Sequence, residues 1–189
     1  MSLVLVPLLA LMCQGGIHGK GINSLIGPYI AYTERFYMCE DNNTPLPWRW
    51  NLRVSHFNPL KPKELQRLTG NLTGATPFDD SCWSKVILDT WSNNQWKENA
   101  FRANFKNNAC KALKEHIPGF YEKISRMEMK DACMLKPGVY EFNNTSVDWT
   151  FPKFAIMPYG HYRFRLLVGK AERRLACFVV ECKIIPKSL

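Results

Sequence analysis

Hydrophobic and polar residues alternate along several segments of this chain, which is the pattern of β-strands with one face toward a core and one toward water. Between Trp48 and Phe57 the apolar positions are Trp48, Trp50, Leu52 and Val54. Between Tyr162 and Val168 they are Tyr162, Phe164, Leu166 and Val168, with His161, Arg163 and Arg165 at the opposite positions. Both segments therefore predict half-buried strands.

Further strands are predicted over 67–73, 83–91, 101–105, 139–142 and 175–185, and residues 169–172 form a hairpin connection. Ala109, Cys110, Leu113 and Ile117 recur at helical spacing after Asn107 or Asn108, and Pro118-Gly119 ends that helix. Seven to nine strands with one short helix indicate an all-β fold, an antiparallel two-sheet sandwich or cup. The pattern does not distinguish a tightly closed sandwich from an open cup.

The chain begins with an apolar run from Leu3 to Met12 and small residues after it, which predict a signal peptide over residues 1–19. A membrane anchor is the alternative, but the run is much shorter than the ~20 residues that span a bilayer. The remaining residues, 20–189, suffice for one domain with a sizeable core. We therefore expect a secreted, extracellular protein.

Loss of Cys13 with the signal peptide leaves an even number of cysteines, which are Cys39, Cys82, Cys110, Cys133, Cys177 and Cys182. An even count in a secreted chain predicts disulfides. No Cys-x2-Cys pair is present, so the spacing does not favour a metal site. The glycosylation acceptors Asn42, Asn71, Asn143 and Asn144 fit the same compartment.

Lysine and arginine exceed aspartate and glutamate by 25 to 16, which gives a net charge of +9. The basic residues are spread along the chain without a dense tail, so we do not expect a nucleic-acid partner. Two interpretations of the charge remain: an ordinary solvated surface, or attraction to an anionic membrane surface. On the second interpretation, Arg163, Arg165, Arg173 and Arg174 contribute to the membrane contact.

Three histidines follow the predicted signal peptide, His56, His116 and His161. A secreted basic protein with histidines at separate positions could be a nuclease-type enzyme that uses general acid and base chemistry. The three lie in different predicted elements, and no nucleophile elbow, zinc-protease motif or phosphate-binding glycine loop is present. The sequence therefore predicts neither catalytic residues nor a cofactor.

An apolar stretch between Thr145 and Tyr159 has no clean strand period and is interrupted by Pro152 and Pro158. It contains Trp149, Phe151, Phe154 and Ile156. These side chains either form a rim loop that enters a membrane or covers a pocket, or pack as an edge segment on the sheet. The pattern favours neither interpretation.

The last third of the chain carries three short motifs in a fixed order. They are Cys133-x4-Gly138-x-Tyr140, then Gly160-His161-Tyr162-Arg163, then Arg174-Leu175-Ala176-Cys177. This order and spacing resemble the C-terminal part of the ganglioside activator proteins and the insect chemosensory CheB proteins, in the ML-type lipid-recognition group. The family has asparagine where this chain has His161 and glycine where it has Ala176.

The resemblance implies a β-cup whose two sheets part to admit lipid, a disulfide from Cys39 to Cys177 and a second from Cys110 to Cys133. Cys177 and Cys182 lie too far apart on one extended strand to bridge, so elimination pairs Cys82 with Cys182. The activators carry eight cysteines, and Cys82 and Cys182 have no counterparts there. This departure favours the CheB-like role over lipid presentation to a hydrolase.

The resulting hypothesis is a secreted, non-enzymatic protein that binds a lipid or another hydrophobic small molecule, in chemosensation of pheromones or cuticular hydrocarbons. The alternatives are a lipid-presenting activator of a glycolipid hydrolase and a secreted basic nuclease. A receptor or a hydrolase is the implied protein partner. The residues predicted to line the ligand site, unless they fill a dry core, are Trp50, Leu52, Val54, Leu88, Phe164 and Leu166.

Overall fold

The computed structural model describes residues 25–39, 45–125 and 133–187. In chain order the elements are β1 (Ile26–Gly27), β2 (Tyr29–Met38), β3 (Trp48–Val54), β4 (Gln66–Gly74), β5 (Phe78–Asp79), β6 (Trp83–Ser92), β7 (Gln95–Phe105), α1 (Ala109–His116), α2 (Pro118–Ile124), β8 (Met134–Leu135), β9 (Gly138–Val147), β10 (Met157–Pro158), β11 (Gly160–Lys170) and β12 (Arg173–Pro186). The predicted signal peptide and Asn42 lie outside the described residues.

Two antiparallel sheets form the body of the fold. One has five strands in the order β2-β12-β11-β6-β7, and the other has three in the order β3-β4-β9. Two short pairs, β1 with β10 and β5 with β8, lie beside them. The prediction of an all-β, antiparallel two-sheet sandwich or cup is confirmed.

The predicted alternation is confirmed in β3, where Trp48 and Leu52 are buried and the residues between them are exposed or half-buried. β11 and β12 form the predicted hairpin, which turns at Ala171 and Glu172. β6 and β7 are joined by the two-residue turn Asn93-Asn94, and both asparagines have positive φ. Asparagine tolerates that left-handed conformation better than most residues, which explains its use in this tight hairpin.

Within the described residues there are two helices, whereas one was predicted. α1 ends where expected, but Pro118 occupies the first turn of α2 and starts it. Proline is tolerated there because the first amide groups of a helix have no partner within the helix. The disulfide from Cys110 to Cys133 joins α1 to the chain just before β8.

The two sheets and both helices share one hydrophobic core. A series of ring contacts crosses it, with centroid distances from 4.1 to 6.0 Å, in the order Phe142, Phe120, Trp149, Phe36, Trp50 and Phe178. A second cluster lies on the five-stranded sheet around Tyr162, Cys182 and Ile184. Aromatic side chains therefore provide much of the contact between the sheets.

The disulfides Cys39–Cys177 and Cys110–Cys133 are confirmed. The pairing of Cys82 with Cys182 is wrong, because both are buried free thiols. Cys82 belongs to the main core, whereas Cys182 lies in the second cluster. Elimination failed because it assumed that every cysteine in the mature chain is oxidised, whereas a buried cysteine also packs as a small apolar residue.

Candidate functional site

Two rows of apolar side chains cross the inner face of the five-stranded sheet, because paired residues of antiparallel strands point to the same face. Following the strand order from β2 to β7, one row is Met38, Phe178, Leu166, Val86 and Ala103. The other row is Phe36, Val180, Phe164, Leu88 and Phe101. Together, these ten side chains form a continuous apolar surface on the sheet.

The three-stranded sheet covers only one side of this surface. Near β12, the ring of Trp50 stacks on Phe178 with centroids 4.1 Å apart. Toward β7 the cover thins: Val86 and Leu88 are only half-buried, and Phe101 is 59% exposed. An apolar surface is therefore left partly uncovered at the β7 side, and we call it the inner groove, formed by Val86, Leu88, Phe101, Phe164 and Leu166.

Three of the predicted ligand-lining residues lie in the inner groove. Phe164 and Leu88 are directly paired across β11 and β6, and Leu166 is the next inward residue of β11. All three are half-buried rather than enclosed. The same side-chain alternation that builds the sheet turns them toward its inner face.

The other three, Trp50, Leu52 and Val54, lie on β3 and pack into the main core. Leu52 is only 5% exposed, and Trp50 donates a hydrogen bond from Nε1 to the Tyr37 carbonyl oxygen at 3.0 Å. These residues fill the space between the sheets, as expected for a dry sandwich. Of the six predicted ligand-lining residues, three therefore pack in the core and three lie in the inner groove.

Sequence reasoning did not assign Val86 or Phe101 to the site. The alternation of Phe101, Ala103 and Phe105 was visible in the sequence. It did not show that β7 would be the last strand of the sheet, which is what leaves Phe101 uncovered. The missing information was strand order, which depends on long-range pairing.

The predicted rim loop combines both interpretations of its sequence. Trp149 packs on Phe120 and Phe36, and Phe151 lies 6.0 Å from the ring of Phe164 at the inner groove. Phe154 and Ile156 remain 49% and 54% exposed. The loop thus packs against the body of the fold through Trp149 and Phe151. The side chains of Phe154 and Ile156 are exposed.

The rim loop also contacts α1, which in turn contacts β7. The ring of Phe154 lies 6.3 Å from His116, which lies 5.5 Å from Phe105 of β7. Lys153 forms an ion pair with Glu115 of α1 at 3.5 Å. The loop and α1 therefore border the groove on the side that the three-stranded sheet leaves open.

Other exposed apolar residues lie next to this loop. β1 pairs with β10, which follows Ile156 directly. Leu25 and Ile26, at 82% and 48% exposed, thus lie at the same edge as the rim loop. Exposed apolar groups gathered in this way mark contact surfaces more often than scattered ones do.

The outer face of the five-stranded sheet is charged but largely neutralised. Asp89 is fully buried, and its carboxylate accepts hydrogen bonds from Arg163 Nε at 2.8 Å and Arg165 Nη2 at 2.9 Å. Glu181, also buried, binds Arg35 and Tyr37. Arg163 and Arg165 therefore serve this network, and the expectation that they present free positive charge to a membrane is not supported by their contacts.

The pKa of Asp89 reflects the same contacts. Burial alone would raise it, but hydrogen bonds from the two guanidinium groups and from the Asn99 amide outweigh that effect. The pKa of Asp89 is therefore lower than its ordinary value. Asp89 stays ionised at neutral pH and holds β6 and β11 together on this face.

The three histidines occupy separate places. His161 lies on the outer face 3.0 Å from Glu34, and burial lowers its pKa. His116 Nδ1 lies 2.8 Å from the Ala112 carbonyl oxygen on α1, and His56 is exposed after β3. Each is thus explained by its local contacts or its exposure, without reference to a shared reaction centre.

Asp80, Cys110 and Cys133 bring potential metal-binding atoms within 4.8 Å of one another. The two sulfur atoms are joined in a disulfide, so neither is available as a thiolate. Asp80 Oδ1 accepts a hydrogen bond from the Lys111 amide instead. This cluster is explained by the disulfide and by the start of α1.

A cavity of 170 Å³ lies between α2 and β9, lined by residues that include Ile124, Val139 and Phe142. Pockets for small molecules usually measure about 300–1,000 Å³. None of the six predicted ligand residues lines this cavity. The inner groove is therefore the better candidate for a ligand with an extended apolar part.

The predicted glycosylation acceptors lie mainly on the three-stranded sheet. Asn71 is half-buried in β4 between Asn51 and Glu141, whereas Asn143 and Asn144 are exposed on β9. All three belong to the sheet that does not form the inner groove. Glycans at these positions would leave the groove side accessible.

Comparison of the chain with protein-family models and with curated proteins gives no match. Within residues 25–39, 45–125 and 133–187, no helix has the length and apolar character needed to cross a bilayer. Fold and groove therefore define a disulfide-bonded, antiparallel β-sandwich with one open apolar face, and its function has to be argued from that face.

Proposed function

We propose that this protein is a secreted, non-enzymatic carrier of a hydrophobic ligand with a long apolar chain, which it binds in the inner groove. The observation that carries the proposal is the continuous apolar row that runs from the core to Phe101, which is 59% exposed. A water-soluble fold rarely leaves such a surface open without a binding partner. Chemosensory transport of a lipid or hydrocarbon, as in the CheB-like proteins that its motifs resemble, is the role we favour.

The energetics support an apolar ligand. Each buried methylene contributes about 0.8 kcal/mol, so ten methylenes give about 8 kcal/mol before ordering costs, which corresponds to micromolar binding at best. The groove floor consists of apolar side chains, so affinity depends on chain length and little on the headgroup. The exposed residues Phe154 and Ile156 lie beside the groove, where they can contact a membrane during ligand uptake.

The experiment is uptake of fatty acids, alcohols and hydrocarbons of increasing length by purified, disulfide-intact protein. We expect affinity to rise with length, and we expect Phe101→Ser to weaken it several-fold without unfolding the protein. Val139→Ser is the matched control, because Val139 is 56% exposed on a strand outside the groove. Leu166→Asp places a charge on the half-buried floor, and we expect it to abolish binding or prevent folding.

Absence of chain-length-dependent uptake by folded protein would refute the proposal. Equal losses for Phe101→Ser and Val139→Ser would refute the assignment of the ligand to the inner groove. The alternative of a secreted nuclease is tested on the same preparation by a nucleic-acid cleavage assay. Cleavage that survives purification to homogeneity would favour the enzyme over the carrier.

A further inference from the structure

The two edge strands of the five-stranded sheet, β2 and β7, differ in whether side chains bind their outward backbone groups. At the β2 edge, the side-chain amide of Gln66 binds both the N–H and the C=O of Thr33, at 2.7 and 2.9 Å. Trp50 Nε1 binds the Tyr37 carbonyl oxygen of the same strand. The Gln66 side chain, from the second sheet, thus satisfies both backbone groups of Thr33 on the free side of β2.

The β7 edge has no such protection in the part of the chain that the structure describes. β7 is eleven residues long and pairs only with β6. Phe101 of this strand is the most exposed phenylalanine among the described residues, at 59%. Unprotected edges of this kind readily accept another strand.

The register shows which backbone groups of β7 are free. The two-residue turn closes on the pair Ser92 and Gln95, and such a turn closes on a hydrogen-bonded pair. β6 pairs with β11 without a register shift, so the backbone groups of its successive residues point alternately to β11 and to β7. Because Ser92 points to β7, the other even-numbered residues of β6 do so as well. Phe101 and Ala103 face Leu88 and Val86 and are bound there, whereas Arg102 and Asn104 direct their backbone groups to the free edge.

The segment Phe101-Arg102-Ala103-Asn104-Phe105 is complementary to itself under a two-fold rotation about Ala103. Phe101 then faces Phe105 of the second copy on the inner side, and Arg102 faces Asn104 on the outer side, each twice. Arg102 and Asn104 exchange backbone hydrogen bonds, and the small Ala103 residues meet at the axis. Aromatic cross-strand pairs of this kind stabilise antiparallel pairing.

Charge selects this register. Two-fold pairing about the neighbouring Arg102 would place that residue opposite its own copy, which is unfavourable in a chain of net charge +9. Pairing about Ala103 opposes no two like charges. The irregularity in β7 near Asn99, whose φ is positive, limits the pairing to the regular segment that follows.

We propose that this protein forms a symmetric dimer in which the β7 strands of two copies pair about Ala103 and join two five-stranded sheets into one of ten strands. The occupant of the free edge is thus a second copy of the same chain. The interface is short, so we expect reversible association at micromolar concentration. Phe101 belongs both to the inner groove and to this interface, but the pairing rests on the backbone groups of Arg102 and Asn104, which are not groove residues.

The test is sedimentation equilibrium of the full secreted protein over a range of concentrations. Asn104→Arg places like charges opposite each other, at an exposed position, and we expect it to weaken the dimer at least ten-fold. Adding Arg102→Glu restores an attractive pair, and we expect the double variant to regain association. Asn51→Arg, at an exposed asparagine of the three-stranded sheet, is the matched control and keeps the dimer.

A monomer at every concentration overturns the proposal, as does a dimer that tolerates Asn104→Arg. Failure of the double variant to regain association overturns the register about Ala103. Loss of the dimer in Asn51→Arg shows a general effect of charge and also overturns it. Circular dichroism and thermal unfolding of each variant confirm that the compared proteins are folded.

Discussion

Asp89 shows most clearly how one residue can determine local structure on this fold. It is a fully buried carboxylate that connects two arginines on the neighbouring strand β11. Removal of one partner from a buried ion pair leaves the other charge uncompensated. The charged side of the sheet therefore depends on an acid in β6 that sequence patterning would place among ordinary surface residues.

We predict that Asp89→Asn lowers the free energy of unfolding by roughly 2–4 kcal/mol, because Arg165 loses its counter-charge and Arg163 keeps only the exposed Glu98. Glu98→Gln removes a partner of Arg163 that is 61% exposed and serves as the control, with a loss of about 0.5 kcal/mol or less. Urea denaturation at neutral pH measures both. A loss no larger than that of the control would contradict the role of Asp89.

The low pKa of Asp89 predicts the direction of its pH dependence. The unfolded chain binds a proton at higher pH than the folded protein does, so stability is present above the unfolded pKa and decreases as pH falls through the folded one. We expect urea denaturation at successive pH values to show less acid sensitivity in Asp89→Asn than in the wild type. If the free energy of unfolding decreases equally with falling pH in both proteins, this linkage is contradicted.

Cys82 and Cys182 give a second prediction at the residue scale. Burial raises the pKa of both thiols, so neither forms the reactive thiolate readily. We expect both to resist alkylation in the folded protein and to react after unfolding without reductant. Peptide mapping identifies the alkylated positions, and a recovered Cys82–Cys182 disulfide peptide would contradict the structure.

At the scale of elements, one side chain joins the two sheets. Gln66 of β4 binds Thr33 of β2 through both backbone groups and also donates to the Ser55 carbonyl oxygen at 2.7 Å. Gln66 and Thr33 are both buried. The amide therefore replaces a missing strand neighbour at the place where β2 contains a bulge.

We predict that Gln66→Ala costs roughly 2–4 kcal/mol, because it leaves two buried backbone groups without partners. The amide of Thr33 should then exchange with solvent much faster than in the wild type. Gln95→Ala, at an exposed position, is the control and should change neither quantity. Unchanged protection of Thr33 would show that another group satisfies its amide.

The prediction of elements from sequence succeeded where the period of two was regular and failed where it was broken. β3 follows the alternation, and β11 carries its predicted apolar residues at alternate positions, whereas β12 was predicted from an apolar run whose residues 175–179 are all buried. β2 was not predicted, because the register shift opposite Glu181 and Cys182 moves its inward residues from odd to even positions. A bulge adds a residue and so removes the pattern on which the prediction depends.

At the scale of the whole molecule, the net charge of +9 is unevenly distributed. On the outer face of the five-stranded sheet, Glu34 pairs with His161 and Lys183, and Glu98 pairs with Arg163. Arg173 and Arg174 lie at the exposed start of β12 beside the hairpin turn. Arg163 and Arg165, by contrast, both bind the buried Asp89.

We predict that Arg173→Glu with Arg174→Glu weakens binding to anionic vesicles at low salt, by about 1 kcal/mol for each residue. Added salt should weaken the wild type in the same way, because it screens the attraction. Vesicle cosedimentation measures both effects. Neutral vesicles are the control, and equal binding to neutral and anionic vesicles would assign the contact to apolar residues such as Phe154.

The sequence by itself determined the properties that depend on local order. Alternation predicted the main strands, and proline, glycine and asparagine marked the turns. The motif resemblance, which is a statement about sequence, supplied the two disulfides that the structure confirms. Half of the predicted ligand-lining residues lie together in the inner groove for the same reason, since alternation assigns a face to each side chain.

Only the tertiary structure decided which apolar faces are covered. Leu52 and Phe101 are both apolar residues of strands predicted from alternation, and each precedes an arginine, yet one is 5% and the other 59% exposed. The difference arises because β3 packs against β2 and β12, whereas β7 lies at the opposite end of the five-stranded sheet from β2. Strand order, cysteine partners and the burial of Asp89 all depend on contacts between residues far apart in the chain, which a local pattern does not contain.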